Sequence, residues 1–170
     1  MRWMDALERA RVVKVLPFVR GRLLDLGCGF NNLVRLYGAG VGVDVHPWPG
    51  VDVLVRNSAL LPFPTCAFDT VTIVAALNHI PNRRHVLLEV QRVLADDGRL
   101  ILTMIGPLTG RIAHVLFAKD ERTRGGLTEG ERMGMTRQEV ESLLRATGFV
   151  VQESVPFEFH LNWVYIAEKA

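Results

Sequence analysis

The chain has 170 residues, 49% of them hydrophobic and 22% charged, with 20 basic against 18 acidic side chains for a net charge of +2. That composition suits a single domain, 1–170, with a true hydrophobic core, and excludes a disordered segment. The near balance of charge gives no strong signal for a nucleic-acid partner.

No apolar run approaches the ~20 residues of a membrane span. Arg2 and Asp5 put charge where a secretory leader would be apolar. The two cysteines, Cys28 and Cys66, have no metal-binding or disulfide spacing. A reducing cytoplasm is therefore the expected compartment, with no metal site.

In chain order, Leu7, Ala10, Val13 and Leu16 recur at near-helical spacing and Pro17 ends the pattern, which predicts an N-terminal helix over 4–16 within a cap of about twenty residues (1–20). Leu23–Leu26 reads as a strand, Asn31–Tyr37 as a short helix closed by Gly38, and Val41–Val45 as a second strand. His46-Pro47-Trp48-Pro49-Gly50 cannot be helical, because its prolines exclude it. Parallel neighbours normally need a crossover of a dozen or more residues. The helix between the second strand and a short or irregular third, Val51–Val55, is therefore expected to be reduced or absent.

Asp69–Ala76 predicts a strand buried on both faces, Arg83–Ala95 an amphipathic helix and Gly98–Ile105 a fifth strand. Leu108–Ala118 reads as a helix and Lys119–Gly134 as a glycine-rich loop. Thr136 and Glu139 form a capping box for a helix through Thr147, stopped by Gly148. Phe149–Val155 and Phe159–Ala167 predict a closing antiparallel hairpin joined at Pro156. Alternating strands and helices make this an α/β chain: a doubly wound, mostly parallel, seven-stranded sheet with an antiparallel C-terminal hairpin.

The chemistry concentrates at two strand ends. Leu23-Leu24-Asp25-Leu26-Gly27-Cys28-Gly29 is an apolar run that ends in an acid and two glycines one residue apart. Such a turn lets backbone and ligand approach closely. Asp44 follows at the tip of the next strand, where a carboxylate can accept both hydroxyls of a ribose. Together they describe a nucleoside-binding crevice at the carboxyl ends of parallel strands. Cys28 occupies the turn with no base nearby in sequence, which argues against a nucleophile. His114 and His160 lie on periodic or alternating apolar patterns and read as packing residues.

Asp25-Leu26-Gly27-Cys28-Gly29, Gly42-Val43-Asp44, Leu61-Pro62-Phe63, Ala67-Phe68-Asp69-Thr70-Val71, Glu89-Val90-Gln91-Arg92-Val93-Leu94 and Gly98-Arg99-Leu100, in that order, resemble class I S-adenosylmethionine-dependent methyltransferases, and among them the small type 11 domains. The resemblance implies a Rossmann-like methyltransferase fold and S-adenosylmethionine as cofactor, with S-adenosylhomocysteine as product. It assigns the Gly27-Cys28-Gly29 turn to the methionine part of the cofactor, with Asp25 reaching its ammonium group directly or through water, and Asp44 and Val45 to the ribose strand tip. Asn57 and Ser58 align with a segment that meets adenine; Asn57 stands where the family usually has Asp, and a plain turn role for it is equally open. His46, Pro47 and Trp48 follow the ribose acid and suggest an apolar wall beside the adenine. Ala75, Asn78 and His79 fall in the stretch that borders sulfonium and acceptor, and His79 is a candidate general base, a substrate contact or a helix cap.

Asn31 replaces a frequent third glycine, and asparagine tolerates a left-handed backbone. The resemblance further implies that 106–135 shapes the acceptor pocket; its glycines suggest a lid, with a solvated loop that has no gating role equally open. It implies a small-molecule or lipid-like acceptor. Two other functions stay open: a non-catalytic module that keeps the cofactor fold, and a nicotinamide-dependent oxidoreductase, which the missing Gly-x-Gly-x-x-Gly disfavours.

Overall fold

The computed structural model describes residues 3–107, 130 and 132–170. Five strands run parallel in the first two thirds of the chain: β1 (Leu23–Leu26), β2 (Val41–Asp44), β3 (Val53–Leu54), β4 (Phe68–Ile73) and β5 (Leu94–Ile105). The hairpin of β6 (Phe149–Phe157) and β7 (Asn162–Lys169) completes a seven-stranded sheet in the order β3-β2-β1-β4-β5-β7-β6. Only β7 opposes the others, inserted antiparallel between β5 and β6. Fold class and strand number are those expected from the alternation of elements.

Each face of the sheet carries its own core. Leu23, Ile101, Val164 and Ile166 pack with Val12 and Val15 of α1 (Trp3–Val15) and with Leu33 and Val34 of α2 (Asn32–Tyr37). On the other face Leu24, Leu26, Val43, Val71, Ile73, Leu100 and Leu102 meet Val86, Leu87, Val90 and Val93 of α3 (Arg83–Val93) and Val140 and Leu144 of α4 (Arg137–Arg145). Strand alternation deals successive residues to opposite faces, which places Asp25 on the α1/α2 side. The α4 capping box is present: Thr136 Oγ1 accepts from Glu139 N, and Thr136 N donates to Glu139 Oε2.

Several boundaries differ from the sequence reading. α3 stops at Val93, and β5 begins at Leu94, before the exposed Asp96-Asp97 pair, where a register shift lets the chain pair first with Phe68 and then with Thr70. β4 ends at Ile73 because Ala75 turns left-handed at φ 52°. Pro156 lies inside β6 opposite Trp163 rather than at the hairpin turn. An edge strand accepts proline because one side of its ladder faces no neighbour. The turn itself is Glu158-Phe159-His160, three consecutive residues with positive φ.

The short crossover is as expected: β3 has two residues, and His46–Gly50 is turn and extended chain. The predicted helix 108–118 and most of the 106–135 segment lie outside the described residues. At its C-terminal end, Arg132 N donates to Asn78 O and Met135 N to Ile105 O. Among the described residues no helix is long and apolar enough to cross a membrane.

Candidate functional site

β1 and β2 end side by side, with Asp25 registered on Gly42 and Leu26 on Val43. The chain then turns: Gly27 N and Cys28 N both donate to Val43 O, at 2.8 and 3.1 Å. Two glycines shape the turn for different reasons. Gly27 has φ 75°, and a Cβ there would lie 2.6 Å from the Cβ of Ala76, so the β1 turn and the loop after β4 meet with no room for a methyl group. Gly29 has φ 52°, but a Cβ there would meet nothing within 4 Å. Its bareness leaves an open cradle along the backbone, bordered by the tips of β1 and β2.

Asp44 stands across that cradle and is 8% exposed. Its Oδ2 accepts from Gly29 N at 3.0 Å and its Oδ1 from His46 N at 2.9 Å. Asp44 and the glycine turn, with Gly29 fifteen residues before it in sequence, are thus joined directly. A carboxylate oxygen has room for a second donor, so both oxygens retain acceptor capacity for a ligand.

Asp25 is 3% exposed on β1 and receives the Thr72 hydroxyl on Oδ1 at 2.6 Å. Burial pushes its pKa up to about 7; the Thr72 bond opposes that, and the negative charges of Asp44 and Glu8 add to it. A buried acid held near neutrality becomes a full carboxylate when a cation reaches it. Burial, with Asp25, Asp44 and Asp52 nearby, also pushes the Cys28 thiol up, which excludes a thiolate nucleophile at that position.

Asn31 adopts the left-handed conformation, φ 59° and ψ 33°, at the start of α2. Its Nδ2 donates to Gly50 O and to Asp52 Oδ2, each at 2.8 Å, while Asp52 Oδ2 also accepts from Gly42 N at 2.8 Å. A Cβ at Gly42 would come within 2.1 Å of Asn31 Oδ1, so the side chain lies directly over that glycine. This polar clasp bridges the turn and the short β2–β3 crossover. Trp48 packs at a tilt of 50° against Phe30 and His46, at centroid separations of 5.3 and 4.3 Å, so it too lies beside the glycine turn. Val45, just past Asp44, is 56% exposed.

The remaining expected site residues fall on neighbouring loops. Ala75 N is strapped to Thr103 Oγ1 at 2.9 Å. Asn78 is 8% exposed; its Nδ2 contacts His79 Nε2 at 3.0 Å and Arg132 O at 3.3 Å, and its O accepts from Arg83 Nη2 at 3.2 Å. Asn78 thus ties the loop after β4 to Arg132. Asn57 Oδ1 accepts from Ala59 N at 2.9 Å and Asn82 Nδ2 at 3.4 Å, the signature of a turn asparagine, and Ser58 beside it is half-buried. The structure therefore gathers Asp25, Gly27, Cys28, Gly29, Asp44 and Val45 at one crevice and sets Ala75 and Asn78 along its β4 side. Glu8, Thr72 and Asp52 escaped the sequence reading, since each acts through a contact between distant elements. Glu8 was hidden by the stripe chosen in sequence: the buried face of α1 carries Val12 and Val15, whereas Val13 of the expected stripe is 55% exposed. Among the described residues no group of three or more His, Cys, Asp or Glu is placed to hold a metal.

The methyltransferase-domain family matches residues 24–102. An uncharacterized protein of Methanocaldococcus jannaschii is 32% identical, over 76% of this chain and 61% of its own length. A demethylmenaquinone methyltransferase of Bacillus cereus is 29% identical, over 70% of this chain and 56% of its own. The chain thus spans about three fifths of the curated relatives it matches. Among solved structures, a Thermotoga maritima S-adenosylmethionine-dependent methyltransferase, described as a possible histamine N-methyltransferase, superposes with a TM-score of 0.73 at 17% identity, covering 99% of this chain and 97% of that one. At that identity the likeness concerns the fold.

Proposed function

We propose that the chain is a class I S-adenosylmethionine-dependent methyltransferase that moves a methyl group from S-adenosylmethionine to a small-molecule acceptor, in the cytoplasm. The observation that carries the proposal is the Asp44–Gly29 contact, which sets a ribose-binding carboxylate against an open glycine backbone at the carboxyl edge of the sheet. The residues fit the cofactor. Asp44 would take the ribose hydroxyls, the Gly27–Gly29 backbone would carry the amino-acid tail, and Asp25 would meet its ammonium group. Val45, Ser58 and Asn57 would flank the nucleoside, and Ala75 and Asn78 would border the reacting end.

The cofactor supplies an activated methyl group on a sulfonium, whose leaving group departs neutral. The protein's part is alignment and exclusion of water. A base is needed only when the acceptor is a hydroxyl or a protonated amine. His79 is the base this reading assigns; its Nε2 lies 3.0 Å from Asn78 Nδ2, a contact that must open before that nitrogen can take a proton from the acceptor. The likeness to a demethylmenaquinone methyltransferase supports a small, lipid-like acceptor.

The test is calorimetry with S-adenosylhomocysteine. Asp44→Ala weakens binding at least roughly tenfold, the loss of one or two charge-assisted hydrogen bonds, while the circular dichroism spectrum is unchanged. An unaltered dissociation constant removes the ribose role. Turnover on a panel of quinol, phenol and amine acceptors with methyl-labelled donor then separates an enzyme from a module that only binds.

A further inference from the structure

Resting on the cofactor reading above, we propose that Glu8 of α1 is the second carboxylate of the ammonium-binding end of this site, and that it selects ligands carrying the amino-acid tail. Glu8, Val12 and Val15 are spaced four and three apart, which is one face of a helix. Val12 and Val15 are buried at 3% and 0% exposure among Leu23, Leu33 and Val34. Glu8 therefore sits on the stripe that faces β1 and α2, at a place where an apolar residue would extend the pattern.

Its side chain is held there. Asn32 Nδ2 donates to Glu8 Oε1 at 2.7 Å, and Asn32 is the first residue of α2, immediately after the glycine turn. The side chains whose charge bears on buried Asp25 are carboxylates: Asp44 from β2 and Glu8 from α1. Thr72 and Asn32 each engage one oxygen of their acid, so both carboxylates are oriented before a ligand arrives. Like charges gathered about a buried acid repel in the free protein and are relieved by a compact cation between them. At the glycine-turn end of the donor that cation is the α-ammonium. α1 then belongs to the cofactor site as well as to the core.

Two ligands separate this role from a structural one: S-adenosylhomocysteine, and 5′-deoxy-5′-methylthioadenosine, which keeps the nucleoside and sulfur but lacks the tail. Glu8→Gln keeps the oxygen bound by Asn32 and removes the charge. We expect it to weaken S-adenosylhomocysteine roughly tenfold and to leave methylthioadenosine within about twofold of the parent. Asn32→Ala, which frees Glu8 from its anchor, should weaken the tailed ligand alone and by less. Equal losses for both ligands, or no loss for either, would overturn the proposal. Failure of the parent protein to bind either ligand would sink the cofactor reading itself, and this inference with it.

Discussion

Asp25 carries a cost that its ligand removes. Its pKa rises from 3.8 to about 7 on folding, so the neutral form is the one the fold prefers. Its contribution to stability is whole below about pH 4 and is lost as pH climbs to about 7, each unit being worth about 1.4 kcal/mol. Asp25→Asn, which still accepts from Thr72, should raise the melting temperature of the free protein at pH 8, and the gain should vanish at pH 4. The same substitution should abolish S-adenosylhomocysteine binding. In the parent protein, affinity should strengthen between pH 6 and pH 8 as Asp25 ionises. A flat calorimetric profile over that range would refute the charge pairing. His79→Ala belongs to the same scale: a hydroxyl acceptor predicts a lower kcat, with cofactor affinity retained.

At the scale of elements, the crossover from β2 to β3 shows what replaces a missing helix. Asp52 Oδ2 holds Gly42 N and Asn31 Nδ2, and Asn31 also holds Gly50 O. Asp52→Ala would remove the acceptor of Gly42 N and of one Asn31 amide N–H at a part-buried site, at a cost of about 1 kcal/mol each. Chemical denaturation should show that loss, and because Asp44 lies two residues beyond Gly42, cofactor affinity should fall with it. The sequence displayed the absence of the helix through its two prolines and the short count between apolar runs. It did not display the clasp, because Asn31 and Asp52 are joined only by the fold. In the same way the glycine turn and Asp44 were readable as strand ends, whereas the β5 start at Leu94 was hidden by Asp96-Asp97-Gly98, which break any alternating pattern. Asn57 reads in sequence as either a turn or a ligand residue, and its Oδ1 accepts from Ala59 N and Asn82 Nδ2.

At the scale of the whole molecule, the strand order β3-β2-β1-β4-β5 reverses direction of winding between β1 and β4. Helices then leave on opposite faces, and a crevice opens at the carboxyl ends of those two strands. Asp25, the glycine turn and Ala75–Asn78 are the residues at that point. The doubly wound plan was legible from alternation alone, and it located the crevice before any side chain was placed. A ligand that binds only the folded chain, at a hundred times its dissociation constant, adds about 2.7 kcal/mol, a melting shift of roughly 5–10 °C for a chain of this size. S-adenosylhomocysteine should produce such a shift and NAD should not; the reverse ranking would overturn the donor assignment.

The seat of Asn31 over Gly42 ties the histories of two positions together. With asparagine at 31, even a methyl group at 42 collides with its oxygen; with glycine at 31, that collision disappears. Alanine at 42 is then harmful in one background and tolerated in the other, so the harm of the second change depends on whether the first has already happened. A lineage could reach a side chain at 42 by surrendering the asparagine or by turning its amide aside, and either way it would have to find another means of bracing its shortened crossover.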